Sequence, residues 1–198
     1  MSFDNVVRTK KELNELLKSD KICCFGKSKA TIEDYLRKPF KSVLYRFFRY
    51  FRIMDFCIYR RDNCKNILIS KLYSLLIKYC DIRKNHYGLK IGVEMLSGNI
   101  ADNIRICHPN VILNGNIGTG CVFHGNNVVG NKRSGAKGEI PVLGKNVDVG
   151  IGAMVIGNVR IADNCIIGAG AVVTKSFDVP GSVIAGVPAR IINKEGQL

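Results

Sequence analysis

The chain has 198 residues, 46% hydrophobic and 23% charged, and its 30 Lys and Arg against 16 Asp and Glu give a formal charge of +14. That is the composition of a globular protein with one sizeable core and an appended subdomain. No apolar run reaches the roughly 18 residues of a membrane span, which excludes a transmembrane helix.

The charge is uneven along the chain. Residues 1–90 hold 21 Lys and Arg and 9 Asp and Glu, whereas residues 91–198 hold 9 and 7. From Thr9 to Lys18, Leu13, Leu16 and Leu17 amid Lys and Glu predict a short amphipathic helix. Cys23 to Lys29 reads as a loop, and Thr31 with Asp34 has the spacing of a capping box. After Pro39, the residues Leu44, Phe47, Phe48, Phe51, Met54 and Ile58 fall at helical spacing, with Arg46, Arg49, Arg52 and Arg60 between them. A further helix is predicted over 66–79, carrying Leu68, Leu72, Leu75, Leu76 and Tyr79, and the two are read as packed together. His86 is read as a surface residue in a basic segment.

Three roles compete for these basic, aromatic helices. They can pack on the rest of the protein with Arg stems covering apolar surface, meet an anionic membrane face or lipid-linked glycan, or bind nucleic acid. No recognised nucleic-acid module supports the last. At Gly88 the composition changes, because 14 of the 16 aromatic residues lie before it. The boundary is therefore placed there, with residues 1–87 as a helical subdomain, 88–192 as a second domain and 193–198 as a tail.

The second domain has its own period. From Leu143 an aliphatic residue returns every sixth position, at Val149, Val155, Ile161, Ile167 and Val173. Three residues after the anchors stand Asn146, Gly152, Asn158, Asn164 and Gly170, the residue types that best tolerate φ > 0. Compact side chains recur at Val147, Ala153, Val159, Cys165 and Ala171. A short strand, a corner and a new strand in a fixed register predict a mainly β fold, a parallel β-helix with a narrow aliphatic core. Cys121 and Cys165 are read as compact core groups.

Upstream, Ile117 and Phe123 keep this register, but Ile100, Ile106 and Ile112 are shifted by one, so a coil near Asn114 must be irregular. Val129 to Leu143 spans fourteen steps instead of six. The eight extra residues, 131–138, are basic and glycine-rich, and they predict an extruded loop within 130–142.

These repeats, with Val149-Gly150-Ile151-Gly152-Ala153, Ile167-Gly168-Ala169-Gly170-Ala171 and the closing Ala185-Gly186-Val187-Pro188-Ala189-Arg190, resemble the hexapeptide-repeat acyltransferases. The likeness is greatest to the serine acetyltransferase branch and its polysaccharide-acetylating relatives. It implies a left-handed β-helix, a homotrimer and acetyl-CoA held between neighbouring subunits. It also implies that His108, in Arg105-Ile106-Cys107-His108-Pro109, is the general base. His124 either lines the same cleft or faces solvent. Carried over from the family, Gly130, Asn131, Ile151 and Ala169 would line the acetyl-CoA site, and Lys132 or Arg133, Lys175 and Arg190 would meet its phosphates.

Two departures bear on the acceptor. Cys107 stands where serine-specific enzymes carry Asp before the histidine. Glu139-Ile140-Pro141 replaces their Arg-His-Pro, and Glu139 would repel an amino-acid carboxylate. A neutral sugar hydroxyl of a surface polysaccharide or its precursor is the favoured acceptor. Serine O-acetylation is the alternative, and a non-catalytic trimeric scaffold a third reading. No metal is expected, since only two of the three histidines lie in the repeat domain. Eight cysteines without a signal peptide read as free thiols of a cytoplasmic protein, located at the inner membrane face if the helices contact lipid.

Overall fold

The computed structural model describes residues 7–96, 100–133 and 139–193. Contacts divide the chain into two compact units, Asp4–Ile91 and Gly92–Leu198.

The first unit is helical. Helix α1 (Lys10–Phe25) starts in a capping box, in which the Thr9 hydroxyl accepts from the Glu12 N–H while the Glu12 carboxylate accepts from the Thr9 N–H. It runs through Cys23, where a loop was expected, and stops at Gly26, whose φ of 77° lets its N–H reach the Ile22 carbonyl. Helix α2 (Ile32–Arg37) begins at the predicted Thr31–Asp34 box, and helix α3 (Pro39–Asp62) opens with its proline in the first turn. Helix α4 (Ile67–Ile91) is capped by Asn66, whose Oδ1 accepts from the Leu68 and Ile69 N–H groups. It continues past Tyr79 and through Gly88, so the change of composition at Gly88 falls inside a helix.

Leu44, Phe47, Phe48, Phe51 and Met54 of α3 are buried as their spacing predicts. Arg52 differs from its neighbours: it is buried, sits over the Phe48 and Phe51 rings, and donates to Asp20 of α1 at 3.1 and 3.4 Å. Burial pushes the Asp55 carboxyl up to about 6, with Arg52 and Lys84 opposing the rise. Tyr73 and Ile77 of α4 pack on Phe56, Cys57 and Val7. The leucine face predicted to pack is instead exposed.

The second unit is the expected β-helix, left-handed and three-sided. One sheet contains β1 (Val93–Met95), β3 (Val111–Leu113), β6 (Asn127–Gly130), β9 (Met154–Ile156) and β12 (Val172–Val173). A second contains β4 (Asn116–Ile117), β7 (Val142–Leu143) and β10 (Arg160–Ile161). The third contains β2 (Arg105–Ile106), β5 (Val122–Phe123), β8 (Asp148–Val149), β11 (Ile166–Ile167), β13 (Val183–Ala185) and β14 (Arg190–Asn193). All pairings are parallel except β13 with β14. Leu143 pairs with Ile161, Val149 with Ile167 and Val155 with Val173, so three hexads make one coil of 18 residues.

Every anchor from Leu143 to Val173 is buried, as are the compact residues Val147, Ala153, Val159, Cys165 and Ala171. Each large aliphatic side chain contributes about 1.5–3 kcal/mol by leaving water. Burial pushes the Cys121 thiol up to about 12 and raises that of Cys165, in keeping with core roles. Asn146, Gly152, Asn164 and Gly170 have φ between 54° and 70°. At the remaining corner the positive φ belongs to Gly157 (94°), not to Asn158.

The irregular coil lies where predicted, with a different cause for Ile112. Val111 and Leu113 point inward and Ile112 is exposed. The Cys107 N–H donates to Phe123 and that of Asn126 to Pro109, which aligns Cys107 with His124 and Asn110 with Asn126. This coil therefore has two residues, His108 and Pro109, where the next has only Gly125. A short corner at Asn114–Gly115 more than offsets the extra residue, with four steps instead of six between inward Leu113 and inward Ile117, so that Ile100 pairs with Ile117 only 17 residues on. Across the loop, Ile117 pairs with Leu143, 26 residues on, which is one coil plus the eight-residue insertion. Loop residues 134–138 lie outside the described residues.

Candidate active site

The extra residue at His108–Pro109 sets the geometry of the site. An edge that must accommodate one residue more than the same edge of the next coil bulges outward, and His108 is exposed at that bulge. Beneath it lies Gly125, with φ 115°; a Cβ there would fall 2.7 Å from the His108 Cβ. Glycine is thus required on both steric and conformational grounds.

His124 stands one coil down, half-buried at the end of β5, and its Nε2 is 2.9 Å from Asp148 Oδ1. The carboxylate fixes the orientation of the imidazole and favours a proton on Nε2. Asp148, the partner of His124, is a side chain that sequence reasoning missed. It precedes an anchor as an ordinary outward residue, and the loop sets it 24 positions from its partner. Parallel pairing of Val122 with Asp148 brings the two together.

Hydrogen bonds from His124 to Val149, Gly150 to Ile167 and Gly168 to Ile184 carry this edge down the prism. Ile151 and Ala169 stand exposed along it, and a Cβ on Gly170 would meet nothing within 4 Å. The edge is therefore a smooth, open track. Cys107, half-buried, holds its place in the ladder through its N–H to Phe123.

Asn127, also missed, buttresses the edge from inside. This buried amide donates to the carbonyls of Gly150 at 2.7 Å and Ala153 at 3.3 Å, and accepts from the Gly125 N–H at 2.9 Å. It sits at a strand start where an aliphatic residue would suit the period, and that mismatch was its only signal.

The remaining candidates lie elsewhere on the prism. Gly130 ends β6, Asn131 accepts from Asn114 Nδ2 at 2.7 Å, and exposed Lys132 lies beside Gly157. Lys175 follows β12, with its Nζ 5.6 Å from the Phe177 ring centre. Glu139 is exposed at the loop's end, next to half-buried Ile140. These residues follow the β6–β9–β12 sheet, whereas His108, His124, Ile151 and Ala169 precede it. Within one chain the two sets occupy different edges. Exposed Arg190 opens β14.

Residues 140–175 match the family described as bacterial transferase hexapeptide (six repeats). Over 106 residues the chain is 34% identical to the bifunctional protein GlmU of Clostridium botulinum, covering 54% of this chain and 22% of that protein. Over 113 residues it is 36% identical to a serine acetyltransferase of Synechococcus elongatus, covering 54% of this chain and 46% of the relative. The chain thus spans less than half the length of these curated relatives. The crystal structure of Neisseria gonorrhoeae serine acetyltransferase superposes with a TM-score of 0.67 at 17% identity, over 96% of this chain and 70% of that one. Soybean serine acetyltransferase superposes with a TM-score of 0.64 at 17% identity, over 91% and 69%. The chain thus carries hexapeptide repeats matched over residues 140–175 and has the fold of the serine acetyltransferases.

Proposed function

We propose that the chain is an acetyl-CoA-dependent O-acetyltransferase acting on a sugar hydroxyl of a surface polysaccharide or its precursor. The observation that carries the reading is His108, held out to solvent over Gly125 on an open edge lined by Ile151, Ala169 and Gly170. That edge suits an extended, flat pantetheine arm. Gly130 and Asn131 would line the acetyl-CoA site, and Lys132 or Arg133, with Lys175 and Arg190, would meet the CoA phosphates.

His108 takes the proton of the acceptor hydroxyl as its oxygen attacks the acetyl carbonyl, and returns it to the departing thiolate. One C–O bond forms, one C–S bond breaks, and the proton passes from alcohol to thiol. His124, oriented by Asp148, lines the same edge. Because the His108 and Gly130 edges differ within a chain, we propose a homotrimer in which one subunit's His108 edge meets its neighbour's loop. Free thiols at all eight cysteines support a reducing, cytoplasmic setting.

Glu139 beside the loop's end and Cys107 before His108 favour a neutral acceptor over an amino acid. The names and folds of the relatives favour a second reading, serine O-acetylation. The two are separated by thiol release from acetyl-CoA with free serine or with polysaccharide repeat units, for wild type and His108→Ala. Turnover on glycans alone, lost by at least about a hundredfold in His108→Ala, supports the proposal. Efficient turnover of serine replaces the sugar with the amino acid.

A further inference from the structure

Helix α4 buries one face and leaves another bare. Tyr73, Ile77, Cys80, Tyr87 and Ile91 lie on its inner side, all buried or half-buried. On the outer side Leu68, Leu72, Leu75, Tyr79, Ile82 and Leu89 follow one another at steps of four and three, with His86 completing the series. The exposure of this row is large, at 77% for Leu68, 64% for Leu75, 68% for Ile82 and 87% for Leu89. Exposed Ile69 and Leu76 widen it on one side. A contiguous apolar row of this length marks an interaction surface.

The charges beside the row identify the occupant. Lys71 and Lys78 flank it on one side and Lys90 on the other, with Lys65 just ahead of the helix, while the Arg83 guanidinium is turned onto the Tyr50 and Tyr87 rings. The helix's single acidic residue, Asp81, is engaged by Lys84 at 2.9 Å. A second α4 laid along this row would set lysine against lysine with no carboxylate to answer. An anionic bilayer supplies an apolar layer for the leucines and negative headgroups for the flanking cations. The row is borne on the convex outside of a helix, and among the described residues no helix is long and apolar enough to cross a membrane.

We propose that the outer face of α4 is a docking surface for anionic lipid, on which the helix lies in the interfacial plane. The inference is independent of the acyl-transfer reading.

The test is co-sedimentation of the full chain with vesicles of phosphatidylcholine alone or with about three parts in ten phosphatidylglycerol. Binding should be at least about tenfold tighter to the anionic vesicles and fall steeply between about 0.1 and 0.5 M salt. Leu75→Asp/Ile82→Asp should lose binding by at least about tenfold with the circular dichroism spectrum kept, and Lys71→Glu/Lys78→Glu should lose the preference for anionic lipid. The chain contains no tryptophan, so Leu75→Trp gives a single reporter whose emission should shift to the blue on anionic vesicles, whereas that of Val179→Trp should not. Equal partition to both vesicle types, or unchanged binding by Leu75→Asp/Ile82→Asp, overturns the proposal. So does an absence of vesicle binding. If Leu75→Asp/Ile82→Asp then splits a larger assembly in sedimentation velocity, the face belongs to a second copy; if it does not, to an acidic segment of another protein.

Discussion

Replacing Asn127 tests whether the His108 edge is held from inside. Its amide makes three hydrogen bonds, to Gly150, Ala153 and Gly125. In Asn127→Val the two carbonyls keep backbone donors, since Ala153 N–H reaches Gly150 and Val128 N–H reaches Ala153. The Gly125 N–H loses the Oδ1 it uses inside the protein, and an orphaned buried donor costs about 1–3 kcal/mol. With about 2 kcal/mol lost, the β-helix should melt about 8 °C lower. Asn127→Asp should be worse, losing about 3–5 kcal/mol at neutral pH, because a buried carboxylate would face the Gly150 and Ala153 oxygens with no proton to offer. Since Gly125 lies under His108, the valine variant should also lose about tenfold in kcat with little change in KM. Denaturant titrations and acetyl-CoA turnover on the same preparations read both effects. An Asn127→Asp protein as stable as Asn127→Val, or a valine variant as stable as wild type, would refute the account of the corner.

Three further outcomes follow from the packing. Asp20→Ala removes the carboxylate that Arg52 bonds in the helical core and should cost about 3–5 kcal/mol by urea denaturation. Asp55 has its pKa raised to about 6, so its stabilising neutral form is lost as pH rises through that value. The helical unit should lose up to about 3 kcal/mol between pH 4 and pH 8, and Asp55→Asn should flatten that dependence. A Cβ on Gly150 would fall 2.6 Å from the Ala169 backbone N, so Gly150→Ala should push two coils apart and lower the melting temperature, whereas Gly170→Ala meets no neighbour and carries only the strain of its φ of 67°.

The hexad period alone determined the β-helix, the inward set from Leu143 to Val173 and the eight-residue loop, because stacking coils of constant length forces side chains to repeat with the coil. The capping boxes at Thr9 and Thr31 act over three residues, and the Thr31 start was legible for that reason; α1's run beyond Lys18 depended on Gly26 ending the helix later. His108 was nominated by resemblance, and only the extra residue on its edge explains why it projects. The pairing of His124 with Asp148 and the buttress of Asn127 depend on which coils lie side by side across an insertion, which no local pattern encodes. Helix α4 is apolar on two faces, and spacing marked the leucine row as core. The tertiary structure decided otherwise, since Phe56, Cys57 and Val7 offer a surface that Tyr73 and Ile77 fill, leaving the leucines to water or a partner.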